Sequence, residues 1–203
     1  LRVGIIDLTM GELGTRGTAD IRRKESEAST KILGVKFREN MGFKDGFFCN
    51  DEENRMKLVK KIREYRPDIV ITNAPSDRHP DHGRSSALTV DACFLSGLEK
   101  INTSQDIWRP RYIYHYIQFN NISPDFVIDI TSQIDKKMES ILCYKSQFYN
   151  PSSNESSTII SSKGFLDSVK YRARDIGRQS DCEYAEGFIS HQLLKINYLK
   201  DLA

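Results

Sequence analysis

The stretch Ile69-Val70-Ile71-Thr72-Asn73-Ala74-Pro75-Ser76-Asp77-Arg78-His79-Pro80-Asp81-His82 decides the fold. Its β-branched apolar run, bounded by Arg66-Pro67 and by Pro75, reads as a short buried strand. Two histidines three residues apart follow, with carboxylates at Asp77 and Asp81, a cation at Arg78 and a helical pattern from about Gly83. In an open parallel sheet, ligands bind at the carboxyl ends of strands, so titratable side chains packed into that turn point to a site. Imidazole is a common metal ligand, and a second imidazole nearby can act as acid, base or oxyanion donor. Pro80 restricts the backbone beside His79, so one ring can serve a metal while the other faces a substrate. The plain alternative is a polar loop capping a helix, with Asp81 as N-cap and both histidines solvated. Two of the chain's four histidines cluster here with Asp77, Arg78 and Asp81, which favours function.

Outward from this turn, strand and helix patterns alternate. Downstream, 83–98 is a helix carrying Ala87, Leu88, Val90, Ala92, Cys93, Phe94 and Leu95, apolar nearly all round and predicted to be deeply buried. Upstream, Asp51 can cap a helix that runs to Tyr65 and ends at Arg66-Pro67. Val3 to Leu8 is a buried-strand pattern, followed by a loop from Thr9 to Thr18 with glycines at Gly11, Gly14 and Gly17. Those glycines allow positive φ and close backbone approach. The loop lacks Gly-Lys-Ser/Thr and so is not a phosphate-binding loop; a mobile surface loop and a substrate-facing loop both stay open. The next helix, 20–33, has Thr18 or Asp20 as cap and Gly34 as stop. Arg22 lies in its first turn, where a cation opposes the helix dipole, so an anion nearby is suspected beside the alternative of an ordinary exposed arginine. A weak strand at 35–40, strands at 111–118 and 126–130, and helices at 132–147 and 165–176 complete the pattern. Residues 150–162 are serine-rich and read as a long exposed loop, and 183–189 as a short strand-like tail. The expectation is an α/β fold with a mostly parallel sheet flanked by helices. His115, in an alternating aromatic strand, reads as a core histidine, and His191 receives no role.

At 203 residues and 38% hydrophobic, the chain suits one domain with a substantial core. Thirty basic residues stand against 28 acidic ones, for a net charge of +2, and they are dispersed. That gives no case for nucleic acid or membrane as partner. There is no apolar run of membrane-spanning length and no visible signal peptide. Cys49, Cys93, Cys143 and Cys182 form no Cys-x-x-Cys, which fits free thiols in a reducing cytoplasm, with Cys93 and Cys143 as core residues on helices.

Several motifs together carry a family resemblance. They are Gly4-Ile5-Ile6-Asp7-Leu8-Thr9-x-Gly11-Glu12-x-Gly14-Thr15-x-Gly17-Thr18, then Ile21-Arg22 with Glu25, Ala28 and Leu33-Gly34, Arg66-Pro67-Asp68, Asp77-Arg78-His79-Pro80-Asp81-His82, and Tyr184-Ala185-Glu186-Gly187-Phe188. The chain resembles the LmbE-like, or PIG-L, deacetylases over nearly its whole length, with the bacillithiol biosynthesis branch nearest. The resemblance implies a Rossmann-like fold, a mononuclear zinc, and hydrolysis of an N-acetyl group on a glucosamine conjugate. It implies His82 as a zinc ligand and His79 as the imidazole that stabilises the oxyanion or protonates the amine. Asp81 would orient His79, Arg22 and Arg78 would hold substrate anions or hydroxyls, and Tyr184 would wall the same pocket. The bacillithiol branch implies N-acetylglucosaminyl-malate as the small-molecule glycoside substrate, and the family's hexamers imply self-association.

The family's first motif, Ala-His-Pro-Asp-Asp after an N-terminal strand, has no counterpart here. It would supply two further zinc ligands and the general base, and a zinc hydrolase needs three protein ligands. The expectation is a single LmbE-like domain over 1–203, N-terminally incomplete, with its first strand and helix missing. The rival reading, from another class, is a non-catalytic sugar-binding or assembly module that lost the metal.

Overall fold

In the computed structural model, which describes residues 1–198, strands and helices alternate through most of the chain. They are β1 (Gly4–Thr9), α1 (Ala19–Leu33), β2 (Phe37–Phe43), α2 (Glu52–Tyr65), β3 (Ile69–Asn73), α3 (Pro80–Ser96), β4 (Tyr112–Tyr116), β5 (Phe126–Asp129), α4 (Ile134–Leu142), α5 (Lys163–Arg178) and β6 (Ala185–Ser190). The α/β class expected from the sequence is present. The chain gathers into two units, one of Leu1–Phe48 with Val127–Glu186, the other of Cys49–Phe126 with the described residues from Gly187 onward. β5 and β6 each run from one unit into the other.

In the first unit β1 and β2 are parallel, with Gly4 opposite Phe37 and Asp7 opposite Asn40. A Cβ on Gly4 would fall 2.1 Å from the Phe37 ring, so only glycine lets that ring lie across the strand. Asp7 takes a two-pronged bond from Arg38, at 2.6 and 2.9 Å, and the same guanidinium reaches the Ser26 carbonyl on α1 at 3.3 Å. α1 starts at Thr18, whose hydroxyl accepts from the Ile21 N–H, and stops at Gly34 with φ 69°. It packs on α4, where the Ser29 and Ser140 hydroxyls meet at 2.8 Å. Ile130, Ile134 and Ala173 form a buried cluster with the Tyr184 ring against it. α4 is shorter than the helix expected at 132–147: a 3-10 turn at Thr131–Gln133 precedes it, and it ends at Leu142. Beyond that point Ser146 donates to Glu25 from its backbone and hydroxyl, and Gln147 donates to the Arg16 carbonyl. These tertiary bonds accompany turns where the sequence pattern suggested helix. Cys143 is therefore only half-buried at the helix end.

In the second unit β3 and β4 are parallel, with Ile69 opposite Tyr112 and Asn73 opposite Tyr116, and β4 pairs antiparallel with β6. The sheet order is β3-β4-β6-β5, so the tail expected to be merely strand-like is an inner strand. Among the described residues β1 and β3 each end their sheet with one edge unpaired. Ile69 and Ile71 on β3 are 50% and 56% exposed, the kind of edge that invites further pairing. α2 packs on α3 through buried Leu58, Val59 and Ile62 on one side and Leu88, Ala92 and Cys93 on the other. Burial pushes the Cys93 thiol up to about 12. α3 is less buried than its composition suggested: Phe94 is 57% exposed, with the Arg109 guanidinium stacked 4.7 Å from its ring. No helix among the described residues is long and apolar enough to cross a membrane.

The carboxyl end of α3 is held by an arginine from α2. Arg63 is buried and donates from Nε to the Ser96 carbonyl at 2.9 Å, and from Nη2 to the Leu98 carbonyl at 2.9 Å. Its Nη1 reaches the Ile101 carbonyl and the Thr103 hydroxyl, both at 2.7 Å. The Ser96 and Leu98 carbonyls also accept the Trp108 and Ile101 N–H groups, at 3.1 and 3.2 Å, so Arg63 fills second lone pairs at the helix end and the turn after it. Arg63→Met should therefore destabilise the protein by about 1.5–3 kcal/mol, the scale for hydrogen bonds made by a charged group. Arg63→Lys should recover only a minor part, because an ammonium cannot reproduce the fork. A urea midpoint unchanged within error for Arg63→Met would contradict this.

Candidate active site

The polar turn after β3 is built on a helix start. α3 begins at Pro80, three residues before Gly83, because His79 rather than Asp81 is the N-cap. The His79 backbone is extended, its Nδ1 accepts from the Asp81 N–H at 3.3 Å, and proline follows at the first helical position, where its missing N–H costs nothing. His82 thus sits in the first turn of α3 rather than in the loop. A Cβ on Gly83 would lie 3.0 Å from the Pro75 carbonyl, so glycine lets this first turn lie close against the segment leaving β3.

The two imidazoles are set to opposite states by their partners. His82 Nδ1 lies 3.0 Å from Asp77 Oδ2, and the Asp77 side chain is 1% exposed. An imidazole beside a carboxylate carries its proton on the nitrogen facing it, which leaves His82 Nε2 with a bare lone pair. His79 Nδ1 accepts a backbone N–H, so its proton belongs on Nε2. One ring offers a lone pair and the other an N–H, with ring centres 5.2 Å apart. A lone pair suits a metal or a proton, and an N–H suits a developing oxyanion.

Asp81 is buried and its carboxylate accepts from Arg84 at 2.7 Å; what it gives His79 is its backbone N–H. Arg78 stacks on Phe119 at 5.1 Å in the same unit. His79, Asp81, His82 and Arg78 are therefore together. Arg22 and Tyr184 belong to the first unit. Arg22 is half-buried in the first turn of α1, and Tyr184 packs on the Ile130, Ile134 and Ala173 cluster with Arg174 5.9 Å from its ring. Asp77 received no individual role from the sequence, yet it is the carboxylate that orients His82. Behind the turn, His115 is a core residue as expected: its Nδ1 lies 2.8 Å from the Asn73 carbonyl and 3.1 Å from the Ser86 hydroxyl. Burial, opposed by the Asn73 hydrogen bond and aided by His191, pushes the His115 pKa down.

Zinc is the metal that the motif resemblance implies, and a zinc centre needs three protein donors. Among the described residues no group of three His, Cys, Asp or Glu side chains comes together to hold one. His82 Nε2 is one well-oriented donor, so the described residues do not complete a zinc site.

The profile of the PIG-L family, described as GlcNAc-PI de-N-acetylase, matches residues 2–93. A conserved protein of Thermus thermophilus, solved by crystallography, is 35% identical, superposes with a TM-score of 0.87, and is matched over 98% of this chain and 86% of its own. The chain belongs to the PIG-L family. A diacetylchitobiose deacetylase of Thermococcus kodakarensis is 30% identical over 150 residues, covering 71% of this chain and 56% of that protein. A probable N-acetyl-alpha-D-glucosaminyl L-malate deacetylase 2 of Bacillus anthracis is 31% identical over 159 residues, covering 70% and 66%. The chain spans between about half and two thirds of the length of these two relatives.

Asp77→Asn should invert the His82 tautomer, because an amide N–H now faces Nδ1 and the proton moves to Nε2. Nitrogen-15 spectra of the ring should show the inversion at His82 and not at His79, and function that needs the lone pair should fall about 10–100-fold. An unchanged His82 spectrum would remove Asp77 from this role. A second expectation concerns His115, whose folded pKa lies below an unfolded value of about 6.5. The unfolded state then binds more protons at mildly acid pH, so this contribution is full above about 6.5 and is lost as pH falls through the folded value. His115→Gln should flatten the fall in urea midpoint between about pH 7.5 and 5.5; the same slope in both proteins would count against it.

Proposed function

We propose that the protein containing this chain hydrolyses the N-acetyl group of a glucosamine conjugate. The observation that carries the reading is the pair of imidazoles at the start of α3, His82 Nδ1 3.0 Å from the Asp77 carboxylate and His79 Nδ1 accepting the Asp81 N–H, with ring centres 5.2 Å apart. In amide hydrolysis water adds to the acetyl carbon, the C–N bond breaks, acetate leaves and the amine takes up a proton. His79, with its proton on Nε2, would donate to the carbonyl oxygen as charge grows there, or to the departing amine. Zinc is the proposed cofactor with His82 Nε2 among its ligands; a bound zinc would polarise the carbonyl and activate water. The described residues supply one of the donors it needs, and the role assigned to His79 does not depend on where the others come from.

The proposed substrate is N-acetylglucosaminyl-malate or a similar acidic conjugate, handled in the cytoplasm by a homo-oligomer, hexameric by family resemblance. The relative from Bacillus anthracis, by its name, acts on such a compound. Gly11 and Gly14 border the Arg22 guanidinium, which forms no ion pair among the described residues, and a cation so placed suits a carboxylate. Arg78 would bind substrate hydroxyls or anions, and Tyr184 would offer an apolar face. The second reading, a sugar-binding module without catalysis, is favoured by the single metal donor.

Acetate release from N-acetylglucosaminyl-malate by the natural protein, with metal content measured alongside, separates the two. The deacetylase reading expects turnover, about one zinc per chain, loss of stoichiometric zinc in His82→Ala, and retained zinc with about a hundredfold lower rate in His79→Ala. Equal metal loss in both variants would overturn the division of roles. Sugar binding with no acetate released would favour the module.

A further inference from the structure

The glycine loop at 11–17 is exposed over most of its length, yet Arg16 within it is only 5% exposed. Burying a guanidinium in an otherwise exposed loop is costly unless its donors are met. Arg16 Nη2 donates to the Ser153 hydroxyl, and Nε, shielded from solvent, faces Glu155 Oε2 at 3.5 Å, within ion-pair range but outside hydrogen-bond geometry. The other Glu155 oxygen accepts the Gly17 N–H at 2.8 Å, and the Arg16 carbonyl accepts from Gln147 at 2.7 Å. The serine-rich segment around 152–157 has no helix or strand of its own, so this clasp is what ties it to the loop.

The same loop shapes the surroundings of Arg22. Gly11 has φ +68°, and a Cβ there would fall 2.6 Å from Arg22 Nη2; a Cβ on Gly14 would fall 3.0 Å from Nη1. The Gly14 N–H donates to the Gly11 carbonyl at 3.0 Å and closes the loop beneath the guanidinium. Arg16 and Gly17 lead directly into Thr18, the N-cap of α1, and Arg22 lies four residues on. The clasp therefore fixes both the loop that borders the Arg22 guanidinium and the helix start that carries its backbone.

We infer that Arg16 is a positioning residue: through its clasp with Ser153 and Glu155 it holds the glycine loop in the shape that aims Arg22 at a carboxylate-bearing part of the substrate. This rests on the reading of Arg22 as a substrate-anion group. The specificity it confers is for acidic over neutral glucosaminides, because misplacing one cation weakens only the contact made by that cation.

The test is calorimetric binding of two amine products, glucosaminyl-malate and methyl glucosaminide, to the natural protein and to Arg22→Ala, Arg16→Ala, Glu155→Ala and the Arg16→Ala/Glu155→Ala double variant. Wild type should prefer the acidic ligand, and Arg22→Ala should abolish that preference. Arg16→Ala and Glu155→Ala should each weaken the acidic ligand by about ten- to a hundredfold, with the neutral ligand within about twofold, and the double variant should be no worse than either single one. Equal weakening of both ligands would mark the clasp as merely structural, and an undiminished preference in folded Arg16→Ala would overturn the proposal. Should Arg16→Ala lose its melting transition, Glu155→Ala, changed at a half-exposed side chain, decides. If wild type and Arg22→Ala bind the two ligands alike, the anion reading of Arg22 falls and the clasp's role in specificity falls with it; that result is distinct from a preference that Arg22 supports and Arg16 does not.

Discussion

One long hydrogen bond, from the Asp81 backbone N–H to His79 Nδ1, sets where α3 begins, and the rest of the turn depends on that start. An N-cap residue stands half outside its helix and the residue three positions on is fully inside. With the cap at His79, that ring is left at the mouth of the helix and His82 is carried into the first turn, where Asp77 can reach it. Had Asp81 been the cap, as its side chain alone would favour, His82 would be the first helical residue and His79 would lie in the loop. Pro80 makes the observed choice cheap, since it is pre-shaped for the first helical position and unsuited to the interior. Gly83 makes it sterically possible by letting that turn approach the Pro75 carbonyl.

Both units show the same solution to a shared difficulty, a charged side chain taken from water to fix backbone that has no regular structure. Arg63 gathers the carbonyls after α3, and Arg16 gathers a serine, a glutamate and a loop. In each case a guanidinium is used, whose planar fork meets several acceptors at once. An apolar residue in either place would fill the space and leave the surrounding oxygens without the donors that now tie distant segments together.

The sequence disclosed those parts of the fold that rest on local pattern. α2 and its Asp51 cap, α1 between Thr18 and Gly34, and β3 between two prolines all follow from periodicity and punctuation, and the structure has them, though β3, expected to be buried, is a half-exposed edge strand. What it did not disclose depends on distant partners. The helix pattern at 132–147 breaks at Cys143, where the residues just beyond bond to Glu25 and to the loop at Arg16. β6 became an inner strand because β4 pairs with it, which nothing in 183–189 could announce. At the turn itself the two histidines were legible as a pair, since they cluster at the end of a strand. Which aspartate serves which ring was not: Asp81 is next to His82 in sequence, yet it is Asp77, five residues before His82, that the helix start brings to that ring. Neither Arg63 nor Arg16 stood out in the sequence, because burial of a lone arginine has no signature in its neighbours.

α3 is held at both ends by interactions outside its own hydrogen-bond ladder. At its start His79, Pro80 and Gly83 define the first turn; at its close Arg63 and Arg109 take up carbonyls from Phe94 to Leu98. A helix free at either end frays by local opening of its terminal turns. His82 occupies that turn, and its usefulness depends on a ring whose Nδ1 stays within 3.0 Å of a carboxylate that is itself out of water. The cap and the carboxylate therefore support each other. If the first turn opened, the Asp77 carboxylate would lose its imidazole and keep only the Arg78 N–H, and that loss opposes the opening. Stability at the helix start and orientation of the imidazole are thus one physical property, and it is carried by a stretch of seven residues, Asp77 to Gly83.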